Sequence, residues 1–255
     1  MPSRGATVEG MEPVILYEDA DIAAIAKPSG VMTHADGRTE GETVADWFSK
    51  RYPESRAVGE PMKLADGRVI ARPGIVHRLD TDTSGVLVLA KTPFAHSFLK
   101  EAFHNREIKK TYLAFVYGVP KERTGTIDFA IGRSRKDFRL RSAQPKARGM
   151  LREAITRYEV VGDNGKESLL LVYPETGRTH QIRVHLKAIH HPIVCDTLYA
   201  PNHPPVLGLS RLGLHAYALD MPLPSGGRKS IIVPPPEDFA GALASFGAER
   251  FLQGG

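Results

Sequence analysis

Apolar runs in this chain are short, and turn residues break them at hairpin spacing. Arg157 to Val161 and Ser168 to Tyr173 face each other across Asp163-Asn164-Gly165, residues that accept the positive φ of a tight antiparallel turn. Val14 to Gly30 reads as two short strands around Asp19-Ala20-Asp21, closed by Pro28-Ser29-Gly30. Gly85 to Lys91 is a compact buried strand, and Thr111 to Tyr117 and His215 to Leu219 are further strands. Helical periodicity interrupts this pattern irregularly. Thr43 to Tyr52 fits a short helix capped by Thr43, with Val44, Trp47 and Phe48 on one face. Thr92 to Asn105 fits a second, with Phe94, Phe98 and Phe103 among its apolar positions, and Thr179 to His190 a third, with Ile182, Leu186 and Ile189 on one side. Pro234-Pro235-Pro236 precedes a final helix, while Pro53 to Pro73 and Pro201 to Pro205 read as loops. Without regular strand–helix alternation, a doubly wound parallel sheet is a poor fit. The expected class is α+β: a mixed, mostly antiparallel sheet with flanking helices. Residues 1–13 are expected to be a flexible tail and 14–255 a single domain.

At 255 residues and 42% hydrophobic content, the chain can bury a core without a disulfide or metal staple. Its single cysteine, Cys195, excludes an internal disulfide and a thiolate zinc site, and His190, His191 and Cys195 have no carboxylate at ligand spacing. No apolar run approaches membrane-spanning length and the N-terminus has no secretory pattern, so a cytoplasmic protein is expected. The net charge of +5 is unevenly spread: Gly132 to Arg152 alone carries +7, leaving the rest of the chain at −2. A concentrated basic arm in a near-neutral body suits a polyanion, although a solvated loop or strand pair gives the same pattern.

Two polar clusters are set into apolar sequence. His77 to Lys91 (HRLDTDTSGVLVLAK) places Asp80 and Asp82 in a turn before a buried strand, where they serve either as turn caps or as a rigidly held loop carboxylate. Pro174 to Lys187 (PETGRTHQIRVHLK) runs from a strand into a helix on which Thr179, Arg183 and Lys187 share a face; an arginine there can pair with a carboxylate, or lie solvated on a basic helix.

Together with Lys109 to Gly118, HPIVCDTLY, the KPSG block and RLGLHAYAL, these clusters resemble the successive motifs of RluA-type RNA pseudouridine synthases, in order, over residues 14–235. The resemblance implies the pseudouridine synthase catalytic fold with a basic hairpin or loop arm. It also implies isomerisation of specific uridines to pseudouridine in structured RNA, ribosomal or transfer RNA. Asp80 matches the catalytic aspartate, Tyr112 the tyrosine that packs on the target base, and Arg183 the arginine that pairs with the aspartate. Arg78 matches an arginine that helps fill the space left by the flipped nucleotide. With His77, Arg178 and His180 in the same motifs, and Arg133, Arg135 and Lys136 of the arm, it makes up the expected RNA-binding set. Cys195 stands where the family usually has glycine, and the small RNA-binding domain that often precedes the catalytic domain is not expected.

Moving uracil from its nitrogen-1 to its carbon-5 bond needs no redox change and no group donor, so neither metal nor organic cofactor is expected. The expected partner is RNA, with no DNA or membrane, bound by a monomer. Two other readings compete. A non-catalytic RNA-binding protein on the same fold is free to lose Asp80, Tyr112 or Arg183. A glycoside hydrolase using Asp80 and Asp82 calls for more aromatic platforms than a chain with one tryptophan offers.

Overall fold

The computed structural model describes residues 12–64, 66–135, 137, 140–143 and 147–253. It opens with an antiparallel hairpin, β1 (Val14–Glu18) and β2 (Ile22–Lys27). The Asp19 carboxylate turns it by accepting the backbone N–H groups of Asp21 and Ile22, each at 2.8 Å. Helix α1 (Val44–Arg51) begins at Thr43 with a complete capping box. The Asp46 N–H donates to the Thr43 hydroxyl, and the Asp46 carboxylate accepts the Thr43 N–H. Where a loop was expected from Pro53 to Pro73, the chain forms a 3-10 turn (Pro53–Ala57) and a ribbon of β3 (Met62–Lys63) and β4 (Val69–Ile70). Strands of two residues are too short to show a period in sequence.

Strand β5 (Ser84–Ala90) is buried along its whole length. Helix α2 (Pro93–His104) follows, capped by Thr92, and buries Ala95, His96, Leu99 and Ala102. The phenylalanines are not its core face: Phe94 is exposed, and Phe98 and Phe103 only flank the core. Small side chains let the helix lie close to the sheet and leave the bulky rings at its margins.

Then come β6 (Lys109–Tyr117), β7 (Thr124–Asp128), β8 (Ile131–Ser134), β9 (Arg141–Ala143), β10 (Ala147–Arg152), β11 (Ile155–Asp163) and β12 (Glu167–Pro174). The expected β11–β12 hairpin is present, its turn held by the Asn164 side-chain oxygen Oδ1, which accepts the N–H groups of Lys166 and Glu167. Helix α3 (Gln181–Ala188) is shorter than expected at both ends, since His180 before it (φ 57°) and His190 after it (φ 69°) adopt the left-handed backbone region. Thr179 therefore lies outside the helix and off the face of Arg183 and Lys187. Strands β13 (Leu214–Pro222) and β14 (Arg228–Ile232) precede a C-terminal segment whose α4 (Ala240–Ala244) is flanked by 3-10 turns.

Nine strands make one sheet in the order β1-β2-β5-β13-β6-β12-β11-β7, with β14 on β13. Among the described strands only β13 and β5 pair in parallel, so the architecture is the mixed, mostly antiparallel α+β fold expected. Alternation along β6 divides the core. Leu113 and Phe115 pack against Phe239 and Leu243, whereas Tyr112, Ala114 and Val116 face Ile182 and Leu186 of α3. The basic arm is a separate sheet, β10-β8-β9, and is not free in solvent. Its Ile131 and Ala143 pack against Val184 and Tyr199. Cys195 has φ 58°, which accounts for glycine being usual at its position: a Cβ in that region costs roughly 1–2 kcal/mol. No described helix is long and apolar enough to cross a membrane.

The parallel junction depends on Gly85, which has φ 121° and pairs with Ala216; a Cβ there would come within 2.2–2.7 Å of the Ala216 backbone. Relief would require β5 to move away from β13. Gly85→Ala is expected to destabilise the protein by at least about 3 kcal/mol, from backbone strain and a clash that no side chain can relieve. Urea unfolding of the two proteins measures this; a loss under about 1 kcal/mol contradicts the tight junction.

Candidate active site

Asp80 lies in the loop entering β5, and that loop is fastened to the segment after β2. Lys27 is buried with 1% exposure, and its ammonium donates to the carbonyls of Pro28 (2.8 Å), Val31 (2.7 Å) and Thr81 (3.0 Å). Burial holds its pKa down to about 7, against the opposing pull of Asp80 and Asp82. The Gly30 N–H donates to the Thr81 carbonyl, and Ser29 Oγ to the Asp82 carbonyl. Thr33 Oγ1 both donates to the Leu79 carbonyl and accepts the Leu79 N–H. The KPSG block is therefore the fastening of the Asp80 loop.

Arg183 arrives from α3 and meets Asp80 at 3.3 Å from Nη1 to Oδ2. Its tighter partner is Asp196, which sequence reasoning missed. The fully buried Asp196 carboxylate takes Arg183 Nε at 2.8 Å and Nη2 at 2.7 Å. Planar two-point pairing fixes the guanidinium and leaves Nη1 toward Asp80. Asp196 Oδ1 also accepts the N–H groups of Leu198 and Tyr199. Despite burial, the two carboxylates hold the Arg183 pKa above its ordinary value. The stretch HPIVCDTLY contained the signal, but nothing in it says that the carboxylate turns inward.

Tyr112 enters from β6. Burial and the nearby Asp80 charge push its phenol well above the ordinary value, so it stays neutral. A cavity of about 510 Å³ brings together Asp80, Tyr112, Arg183, Arg78, Arg178 and His180. His180 Nε2 stands 3.9 Å from Asp80 Oδ2. Arg78 is exposed, with Nη1 donating to His34 Nε2 at 3.2 Å; His34 was another residue missed. Arg178 Nε donates to the Glu153 carbonyl at 2.9 Å. Buried Gln181 holds this turn, accepting from Thr176 Oγ1 and the Arg178 N–H and donating to the Ile155 carbonyl and Thr156.

His77, expected to touch RNA, lines the same cavity but has a structural duty. Its Nε2 accepts the Val88 N–H at 3.0 Å, and its ring lies on Phe103. Arg133 and Arg135, on and just after β8, do not line the cavity, and Lys136 lies outside the described residues. Among the described residues no group of three His, Cys, Asp or Glu could hold a metal. The geometry offers a half-sheltered carboxylate facing a guanidinium and an imidazole, in a cavity that a phenol also lines. Such a carboxylate can serve as nucleophile or base.

Burial holds His77 down to about 3. The folded state thus binds fewer protons than the unfolded one between about pH 3 and 6.5. The stability contribution is complete above pH 6.5 and is lost as pH falls toward 3. His77→Gln keeps an acceptor for Val88 without the titration. Stability against pH between 4 and 6 should then be less steep by up to about 1.4 kcal/mol per pH unit, measured by denaturant titration. Identical slopes would show that His77 does not titrate with folding.

Comparison with known proteins identifies the family. Residues 21–188 match the family described as RNA pseudouridylate synthase. An uncharacterized RNA pseudouridine synthase of Mycobacterium bovis is 42% identical over 239 residues, covering 92% of this chain and 73% of the relative. The ribosomal large subunit pseudouridine synthase D of Borreliella burgdorferi is 34% identical over 232 residues, covering 91% and 68%. Among solved structures, human RNA pseudouridylate synthase domain containing 4 superposes with a TM-score of 0.69 at 25% identity, covering 93% of each chain. With most of its length matched by the family and by relatives of this similarity, the chain belongs to the RNA pseudouridylate synthases.

Proposed function

We propose that this protein isomerises specific uridines in structured RNA, ribosomal or transfer RNA, with Asp80 as the catalytic carboxylate, Tyr112 against the base and Arg183 as the partner of Asp80. The observation carrying this reading is the meeting of three side chains, from residues 80, 112 and 183, in one cavity with Asp80 and Arg183 3.3 Å apart. The ribosomal relative among the matches supports ribosomal RNA as a substrate. The protein is proposed to act in the cytoplasm as a monomer.

A uridine inside folded RNA must first leave its stack, at a cost of a few kcal/mol. The Tyr112 face offsets part of this, since base–aromatic stacking contributes on the order of 1–3 kcal/mol. The exposed Arg78, hydrogen-bonded to His34, is the residue proposed to occupy the gap the base leaves. Asp80 then either attacks the ribose at its anomeric carbon or removes a proton from the sugar, and uracil departs through nitrogen-1. The base turns and bonds through carbon-5, and loss of the carbon-5 proton completes an isomerisation with no net change in atoms. Both routes start from ionised Asp80, and Arg183 sets a cation 3.3 Å from its carboxylate. Neutral Tyr112 adds no second negative charge beside it.

Asp80→Asn keeps size and polarity but removes the charge. It should abolish detectable pseudouridine while RNA affinity stays near normal, because phosphate contacts dominate binding. Tyr112→Phe retains the stacking face and should cost less. Pseudouridine mapping of RNA incubated with each variant, alongside a binding titration, tests both; substantial turnover by Asp80→Asn would move the chemistry elsewhere. The arm has its own test. Replacing Arg133, Arg135 and Lys136 with Ser should flatten the slope of log affinity against log salt by roughly 2 if all three neutralise phosphates. An unchanged slope at unchanged affinity would reduce the arm to a solvated surface.

A further inference from the structure

Both groups facing Asp80 are held by one short loop, residues 196–199. Asp196 grips Arg183, and the Tyr199 ring lies under that guanidinium, 5.2 Å from Cζ to ring centre. The Tyr199 hydroxyl makes two further contacts. It accepts the backbone N–H of Arg141 on β9 at 2.9 Å and lies 2.9 Å from His180 Nδ1. Tyr199 is buried at 4% exposure, so its own proton needs an acceptor. An amide N–H can only donate. Among the described partners of the hydroxyl, His180 Nδ1 alone can receive that proton.

The direction of each bond follows. Arg141 N–H donates to the Tyr199 oxygen, Tyr199 O–H donates to Nδ1, and a neutral imidazole with Nδ1 as acceptor carries its hydrogen on Nε2. Nε2 is the atom 3.9 Å from the Asp80 carboxylate. We propose that His180 is a positioning residue for Asp80, locked by Tyr199 and the β9 backbone in the tautomer that aims a neutral N–H donor at the carboxylate. Burial holds His180 below its ordinary pKa against the pull of Asp80, so the ring is neutral near pH 7. At 3.9 Å the contact is longer than a hydrogen bond, and it either closes as the cavity fills or is bridged by water. Arg183 supplies a charge that does not move, and His180 a donor whose orientation depends on one hydroxyl. The basic arm thereby touches the chemistry through its backbone, whatever its arginines bind.

His180 also pays in backbone strain. It is one of five described non-glycine residues with positive φ, at 57°, and this turns its ring to Tyr199 before the helix starts. The strain makes a useful control. Asparagine tolerates the left-handed region better than glutamine does. An asparagine amide, however, reaches only the Nδ1 position, whereas a glutamine amide reaches the Nε2 position. Folding therefore favours His180→Asn, and donation to Asp80 favours His180→Gln.

Two measurements test the proposal. Nitrogen-15 NMR of histidine-labelled protein, with His180→Gln identifying the resonances, should show Nε2 protonated and Nδ1 unprotonated in the wild type. In Tyr199→Phe, which keeps the ring under Arg183, the signals should shift toward a mixture of tautomers. An Nδ1-protonated wild type overturns the proposal. Turnover at saturating RNA should fall about tenfold in His180→Asn and Tyr199→Phe with KM little changed, and by no more than about threefold in His180→Gln, as expected for a misaimed group. Equal losses in the glutamine and asparagine variants would also overturn it. The kinetic comparison rests on the assignment of Asp80 above and the tautomer does not. A wild type that makes no pseudouridine refutes that assignment, while the NMR result still decides the hydrogen-bond chain.

Discussion

The active cavity depends on the ion pair between Arg183 and Asp196. Both side chains are almost wholly buried, at 3% and 0% exposure, and two parallel hydrogen bonds near 2.8 Å join them. Burying either charge alone is prohibitive, and breaking such a pair typically costs about 3–5 kcal/mol. The guanidinium therefore cannot turn away to follow Asp80, and Asp80 must come to it. One of its edges belongs to the structure and the remaining nitrogen to the site. A flexible arginine paired to Asp80 alone would be free to swing out with it; one clamped from behind presents a fixed positive edge to whatever enters.

The other side of the pair is fixed by different means. Asp80 sits on a loop, and loops carry few backbone ladders of their own. Here Lys27, anchored to the carbonyls of Pro28 and Val31, supplies one hydrogen bond from inside to Thr81, and Thr33 makes two to Leu79. The loop then runs into β5 at Gly85, where two backbones approach too closely for any side chain. Asp80 is held on both sides: upstream by the Thr33 hydroxyl at Leu79, downstream by the buried Lys27 ammonium at Thr81 and then by a parallel strand pair. Tyr112 belongs to the same junction, since β6 lies on the other edge of β13 and Ala216 pairs with both Tyr112 and Gly85.

Much of the local structure was readable in the sequence. Thr43 marks a helix cap, Asp163-Asn164-Gly165 a hairpin turn, and Asp19-Ala20-Asp21 a reversal, because each signal lies within a few residues of the bonds it predicts. The errors came where tertiary packing chooses among equivalent local patterns. Among the apolar positions of α2 the sequence does not say which face the core, and it is Ala95, Leu99 and Ala102 that do, while Phe98 and Phe103 flank it. His180 looked like the first turn of a helix, but its ring is drawn to Tyr199 and its backbone leaves the helical region.

By itself the sequence determined the α+β class and the order of the hairpins and, through family resemblance, pointed to the three residues proposed to serve uridine isomerisation. Those properties are local, or are carried by motifs whose residues must keep their chemistry. What only the tertiary structure decided is which groups those residues answer to. Asp196 lies 13 residues from Arg183, and Tyr199 19 from His180, at spacings no secondary-structure period relates. Lys27 reaches Thr81 across 54 residues. Hydrogen bonds across such distances are set by where the sheet brings its loops. A buried carboxylate and a solvated one are the same letter in sequence, and only the fold removes the water from one of them.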